Sequence, residues 1–244
     1  MNVLAIGNSF SEDATRYLHQ IARADGENVQ VVSLYIGGCS LERHYRNMLS
    51  GERAYELQYN GQKTGFPVSL SEALLNRKWD VVTIQQQSSS SANVQTFRPY
   101  TDEIAAFVRK CVPTAKIYMH QTWAYEDGSD MLFNFAKYPT ASDMLRDIVA
   151  SYATIAQEIK ADGIIPCGEV MASLLANGIS KVHRDTFHAS FGLGRYALAL
   201  TWYRTLTGRS VKDNSFSDFD EAIAPVDVET VKECVDQTVA PYIK

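Results

Sequence analysis

The chain has 244 residues, 45% of them hydrophobic and 21% charged, with a formal net charge of −5. This is the make-up of an ordinary globular chain, long enough to bury a substantial core in one domain, and it excludes disordered and fibrous classes. Lys and Arg are scattered without a basic stripe, which excludes a nucleic-acid partner held by its phosphates. No apolar run of about 18 residues occurs, so neither a membrane span nor a membrane partner is expected.

Met1 leads straight into the strand-like run Val3–Ile6 with no visible leader. A cytoplasmic location is therefore expected, with a secreted or periplasmic one the alternative if a leader was removed. Asp13–Asp25 has helical spacing, and Val29–Tyr35 reads as a second strand. The alternating segments Tyr55–Tyr59 and Gln62–Phe66 flank Asn60-Gly61, both tolerant of positive φ, which predicts a β-hairpin insertion. Ser69-Leu70-Ser71-Glu72 reads as a capping box opening a helix. Asp80–Gln85 and Lys116–His120 read as strands, with a helix over Tyr100–Cys111 between them.

The aromatic stretch Ala124–Pro139 reads equally as a pocket wall or as a loop tucked onto the core. Ala141–Ala161 is a long amphipathic pattern, Gly163–Pro166 a fifth strand, and Phe191–Thr207 and Val228–Tyr242 are the last two helices. Alternating β and α elements of this kind predict one doubly wound α/β domain over residues 1–244. Cys39, Cys111, Cys167 and Cys234 are widely spaced with no C-x-x-C pair, so most read as small buried hydrophobes.

The chemistry-bearing residues fall at strand ends. Ligands of an open α/β sheet bind beyond the carboxyl ends of its strands, near the point where strand order reverses. The first strand ends in Gly7-Asn8-Ser9-Phe10-Ser11. Ser9 there is either a nucleophile at the sheet's mouth or the N-cap of the next helix. Asp185-Thr186-Phe187-His188 precedes a helix and offers a base and its orienting carboxylate within one turn. The other reading of that segment is a surface Asp near a helix start, or a metal site with His183.

Gly37-Gly38 after the second strand suits either close approach to a substrate or a tight turn. Gln85-Gln86-Gln87-Ser88 after the third offers carboxamide donors or a solvated loop. Hydrogen-bond donors aimed at a developing oxyanion are usually the largest catalytic contribution.

Taken in order, these blocks resemble the SGNH (GDSL-like) serine hydrolase superfamily, in a divergent, poorly characterised bacterial branch. Gly7-Asn8-Ser9 stands for the Gly-Asp-Ser nucleophile block, with Asn in place of Asp. Gly38, or Gly37, stands for the oxyanion glycine, and Asp185 and His188 match the D-x-x-H block. The third block departs: Gly-x-Asn-Asp is absent, and Gln87, then Gln85, is the nearest amide donor.

The resemblance implies a flavodoxin-like three-layer α/β/α sandwich with a five-stranded parallel sheet. It implies a serine esterase with Ser9, His188 and Asp185 as the catalytic triad, and with Ser9, Gly38 and Gln87 forming the oxyanion hole. No metal or organic cofactor is required. The implied partner is a small acyl ester, acetyl above all, on a small molecule or a carbohydrate whose ring would stack on Trp123. The rivals are a non-catalytic carbohydrate-binding module on the same fold, a nucleotide binder lacking a glycine-rich phosphate loop, and a Cys39 nucleophile. The oligomeric state is left open.

Overall fold

The computed structural model describes residues 1–243. Five short apolar runs form parallel strands: β1 (Asn2–Gly7), β2 (Gln30–Tyr35), β5 (Val81–Ile84), β6 (Lys116–His120) and β7 (Gly163–Ile165). They lie side by side in the order β2-β1-β5-β6-β7. β1 is central and buried along its length, as expected of a strand covered on both faces. The order reverses beside it, so the switch point lies between the carboxyl ends of β1 and β5.

The expected five-stranded count is corrected. The hairpin strands β3 (Tyr55–Tyr59) and β4 (Gln62–Val68) are not a separate insertion but extend the sheet. β3 pairs antiparallel with β2, giving seven strands in all. The hairpin turn itself is as read: Asn60 and Gly61 have φ of 49° and 77°. A Cβ on Gly61 would sit 2.2 Å from the Arg16 carbonyl oxygen, so this turn packs directly on the first helical segment.

That segment is broken into α1 (Ser9–Thr15) and α2 (Leu18–Ala24), where the sequence predicts one helix from Asp13. The other helices are α3 (Leu41–Ser50), α4 (Leu70–Leu75), α5 (Tyr100–Cys111), α6 (Ala141–Glu158), α7 (Cys167–Ala176), α8 (Leu193–Thr207) and α9 (Pro225–Val239). The Ser69/Glu72 capping box forms as read, opening α4. Helices α1, α2, α8 and α9 pack together in one layer. α3, α4 and α5 pack together in the other, and α6 lies along β6 and β7. The result is the three-layer α/β/α sandwich.

No apolar period in the sequence marks α3 or α7. α3 buries Leu41, His44 and Asn47, so its inward face is largely polar and gives no apolar period. α7 follows β7 across a single residue, Pro166, and its apolar run merges with the strand. No helix among the described residues is long and apolar enough to cross a membrane. The four cysteines are free thiols, three of them buried.

Candidate active site

The site forms at the switch point. Asn8, not Ser9, caps α1: its side-chain oxygen accepts the Phe10 N–H at 3.0 Å, leaving the Ser9 hydroxyl available. The Asn8 amide donates to the Cys39 carbonyl at 3.0 Å, a bond that the aspartate common in this motif could not make. Gly7 is required by space rather than by turn geometry. A Cβ there would meet the Ser11 hydroxyl at 2.0 Å and the Gln85 oxygen at 2.8 Å.

Ser9 and His188, 179 residues apart, meet with Oγ 2.9 Å from His188 Nε2. His188 Nδ1 lies 2.8 Å from Asp185 Oδ2, and the His188 amide donates to Asp185 Oδ1 at 2.9 Å. All three distances are within hydrogen-bond reach, the spacing that a hydroxyl, an imidazole and a carboxylate need in order to act together. Burial raises the Asp185 carboxyl pKa, but the hydrogen bonds from His188 outweigh it and the net shift is downward, favouring the carboxylate.

The segment carrying this pair is tied down on both sides. His183 and Ala189 form a β-bridge, and the Arg184 N–H donates to the His188 carbonyl at 3.0 Å. The Glu126 N–H donates to the Thr186 carbonyl at 2.8 Å, and Thr186 has φ of 75°. His183 Nε2 lies 3.1 Å from the Ala124 carbonyl oxygen, and no metal-holding cluster occurs among the described residues.

Trp123, the predicted substrate-binding residue, does not line the cleft around Ser9. Its ring is 0% exposed, so no sugar can stack on it. It packs instead on Phe10 with ring centroids 3.9 Å apart and donates its indole N–H to the Phe187 carbonyl at 2.7 Å. One buried indole therefore touches the residue after Ser9 and the residue before His188.

The three glutamines divide their work. Gln85 is buried and joins Asn8 Oδ1 (2.8 Å) to Ser11 (2.6 Å). Gln86 is buried too, accepting from the Leu41 and Gln87 amides and donating to the Thr96 carbonyl. Gln87 alone of the three lines the cleft around Ser9, beside Gly37 and Gly38. Gly38 is exposed and has φ of 59°, a conformation that favours glycine. Cys39 is 0% exposed and burial pushes its thiol up to about 12, which does not suit the Cys39 nucleophile reading.

The cleft measures about 360 Å³. Asn8, Gln87, Ser88 and Ser89 supply its polar groups, and Tyr35, Tyr125, Met131, Phe135 and Phe187 its apolar wall. Among the described residues no Lys, Arg, Asp or Glu lines it. The aromatic stretch thus fills both roles foreseen for it: Tyr125 and Leu132 are buried, while Met131 and the 58%-exposed Phe135, one π-helical turn apart, face the cleft. Tyr35, at the end of β2, carries no motif that marks it in the sequence; only the fold brings it to Met131 and Phe135. Larger clefts, of about 470 to 530 Å³, lie elsewhere and contain neither Ser9 nor His188.

A doubly wound sheet with its pocket at this switch point is the fold of the GDSL-like (SGNH) hydrolases. A putative GDSL-like lipase from Parabacteroides merdae superposes with a TM-score of 0.55 at 14% identity, over 85% of this chain and 95% of that one. A gut microbial diltiazem-metabolizing enzyme superposes at 0.53 and 14%, over 83% of this chain and 46% of that one. The chain belongs to the DUF4886 family, described as a domain of unknown function, whose model matches residues 2–234. A DUF4886 family protein from Bacteroides uniformis is similar at 30% identity with a TM-score of 0.90, over 98% of this chain and 95% of that one. No curated protein matches the chain.

Proposed function

We propose that this chain is a serine esterase that removes a small acyl group, acetyl above all, from an uncharged, ring-bearing alcohol such as a carbohydrate. The observation that carries the reading is the unbroken line from Ser9 Oγ through His188 to Asp185, with steps of 2.9 and 2.8 Å.

Ser9 Oγ attacks the ester carbonyl as His188 Nε2 takes its proton, while Asp185 holds the imidazole's other N–H and stabilises the cation that forms. The oxyanion is received by the Ser9 and Gly38 amides and the Gln87 carboxamide, which share the cleft. His188 then protonates the departing alcohol, and water, deprotonated by the same imidazole, releases the acid and restores Ser9. Apolar rings on one wall with hydroxyl and amide groups opposite suit the face and edge of a sugar ring. The absence of charged lining side chains disfavours ionic esters.

Hydrolysis of p-nitrophenyl acetate tests the reading. The wild-type protein is expected to turn it over and Ser9→Ala to fall by at least about 10³-fold. Equal rates for the two, or inactivity of both on acetyl esters, would favour a binding module instead.

A further inference from the structure

Asp13 is a buried acid outside the triad. It sits on α1, four residues after Ser9, and is 0% exposed. Arg184 Nη1 reaches both of its oxygens, at 3.0 and 2.8 Å, and Arg195 Nε reaches Oδ1 at 2.8 Å. Burial pushes the Asp13 carboxyl pKa up, and the guanidiniums of Arg195 and Arg184 oppose that push.

The two arginines are not equivalent. Arg195 has a second carboxylate, Asp220, at 3.0 Å, and Asp220 is also held by Arg16 at 2.5 Å. Arg184 has no such reserve: its other carboxylate, with Nε at 4.0 Å, is Asp185 Oδ2, the oxygen that accepts from His188 Nδ1. The Arg184 side chain is only 21% exposed, so its charge has limited access to water.

We infer that Asp13 is a positioning residue that holds the Arg184 guanidinium away from Asp185, so that the carboxylate remains committed to His188. The inference rests on the triad reading above. An Arg184 without Asp13 is a poorly hydrated cation whose remaining carboxylate neighbour is Asp185, and a charge-assisted pair there would compete with the imidazole. Arg184 also donates to the Ala189 carbonyl, so the same side chain spans the segment from which Asp185 and His188 project.

The test is the set Asp13→Asn, Arg184→Gln and the double variant, each checked for folding by its melting transition. Asp13→Asn is expected to lower kcat on p-nitrophenyl acetate by about ten- to a hundredfold with little change in KM, the effect of weakening one charge-assisted hydrogen bond in the transition state. The double variant, which also removes the freed charge, is expected to recover about tenfold over Asp13→Asn, and Arg184→Gln alone to lose less than Asp13→Asn. A merely structural ion pair can also recover stability when both charges are removed, but it predicts shifted melting transitions with kcat of the folded variants unchanged.

A crystal structure of Asp13→Asn gives a readout independent of turnover. Arg184 is expected within roughly 2.7–3.2 Å of Asp185, and an Arg184 that keeps its present separation overturns the inference. If Asp13→Asn alone does not fold while the double variant does, a double-variant kcat equal to that of Arg184→Gln supports the inference, and one more than about tenfold below it overturns it. If neither folds, a loss of more than about a hundredfold in Arg184→Gln overturns it. An inactive wild type refutes the esterase reading, and the crystal structure still decides the position of Arg184.

Discussion

His188→Ala is expected to abolish ester hydrolysis almost completely, lowering kcat by about 10⁴- to 10⁶-fold while KM changes severalfold at most. A serine hydroxyl is a weak nucleophile without a base at hydrogen-bond distance, and His188 Nε2 lies 2.9 Å from Ser9 Oγ, where the proposed mechanism needs one. Asp185→Asn is expected to cost less, about 10³- to 10⁴-fold. The asparagine offers either an oxygen or an N–H to His188 Nδ1, and the latter imposes the wrong tautomer. The Asp185 side chain is 46% exposed, so water can take up part of its role. Steady-state kinetics on p-nitrophenyl acetate check both values. A His188→Ala enzyme within tenfold of wild type would remove the imidazole from the mechanism.

Stability is expected to fall by about 4 kcal/mol between pH 7 and pH 5, because two histidines are buried without charge. His44 and His120 are each 0% exposed, and each has an Nε2 with no hydrogen-bond partner among the described residues. His44 Nδ1 lies 3.0 Å from the Tyr55 hydroxyl, and His120 Nδ1 lies 3.3 Å from the Ser11 hydroxyl, two residues after Ser9. Burial pushes both rings down to about 3, with Arg43 adding to the effect at His44.

The sign follows from which state binds more protons. The unfolded chain protonates these rings near their ordinary value of 6.5, whereas the folded chain keeps them neutral down to about 3. Their contribution is therefore complete above about pH 6.5 and is lost as the pH falls toward 3, by about 1.4 kcal/mol per histidine per pH unit. Asp13, whose carboxyl is shifted up, works in the opposite direction on acidification. Comparison of wild type with His44→Gln and His120→Gln isolates the histidines. Urea unfolding at pH 7 and pH 5 is expected to show each variant with about 2 kcal/mol less acid sensitivity than wild type. Identical pH dependences would refute the account.

The parts of the fold legible in the sequence are those whose signal is local. Asn60-Gly61 announces its own turn, Ser69 and Glu72 their own capping box, and Lys116–His120 its strand by composition and flanks. The polar inward face of α3, built on His44 and Asn47, hides a helix from any apolar period. The continuation of the sheet through β3 depends on edge pairing with β2, which no local pattern encodes.

The site divides along the same line. Ser9, Asp185 and His188 sit in short motifs at element boundaries, whereas Trp123 stands in an aromatic stretch where the sequence does not distinguish a ring facing the cleft from one beneath it. Its partners Phe10 and Phe187 are 113 and 64 residues away in the chain. The pairing of Asp13 with Arg184, across 171 residues, is likewise visible only in three dimensions.

The reactivity of one hydroxyl is the most direct test of the account. Incubation with a fluorophosphonate, followed by intact-mass and peptide mapping, is expected to add a single phosphonyl group at Ser9, with none at the buried Ser11 and almost none at Ser9 in the His188→Ala variant. An unmodified Ser9 in folded protein, or labelling that does not depend on His188, would contradict the claim that these two side chains work as a nucleophile and its base.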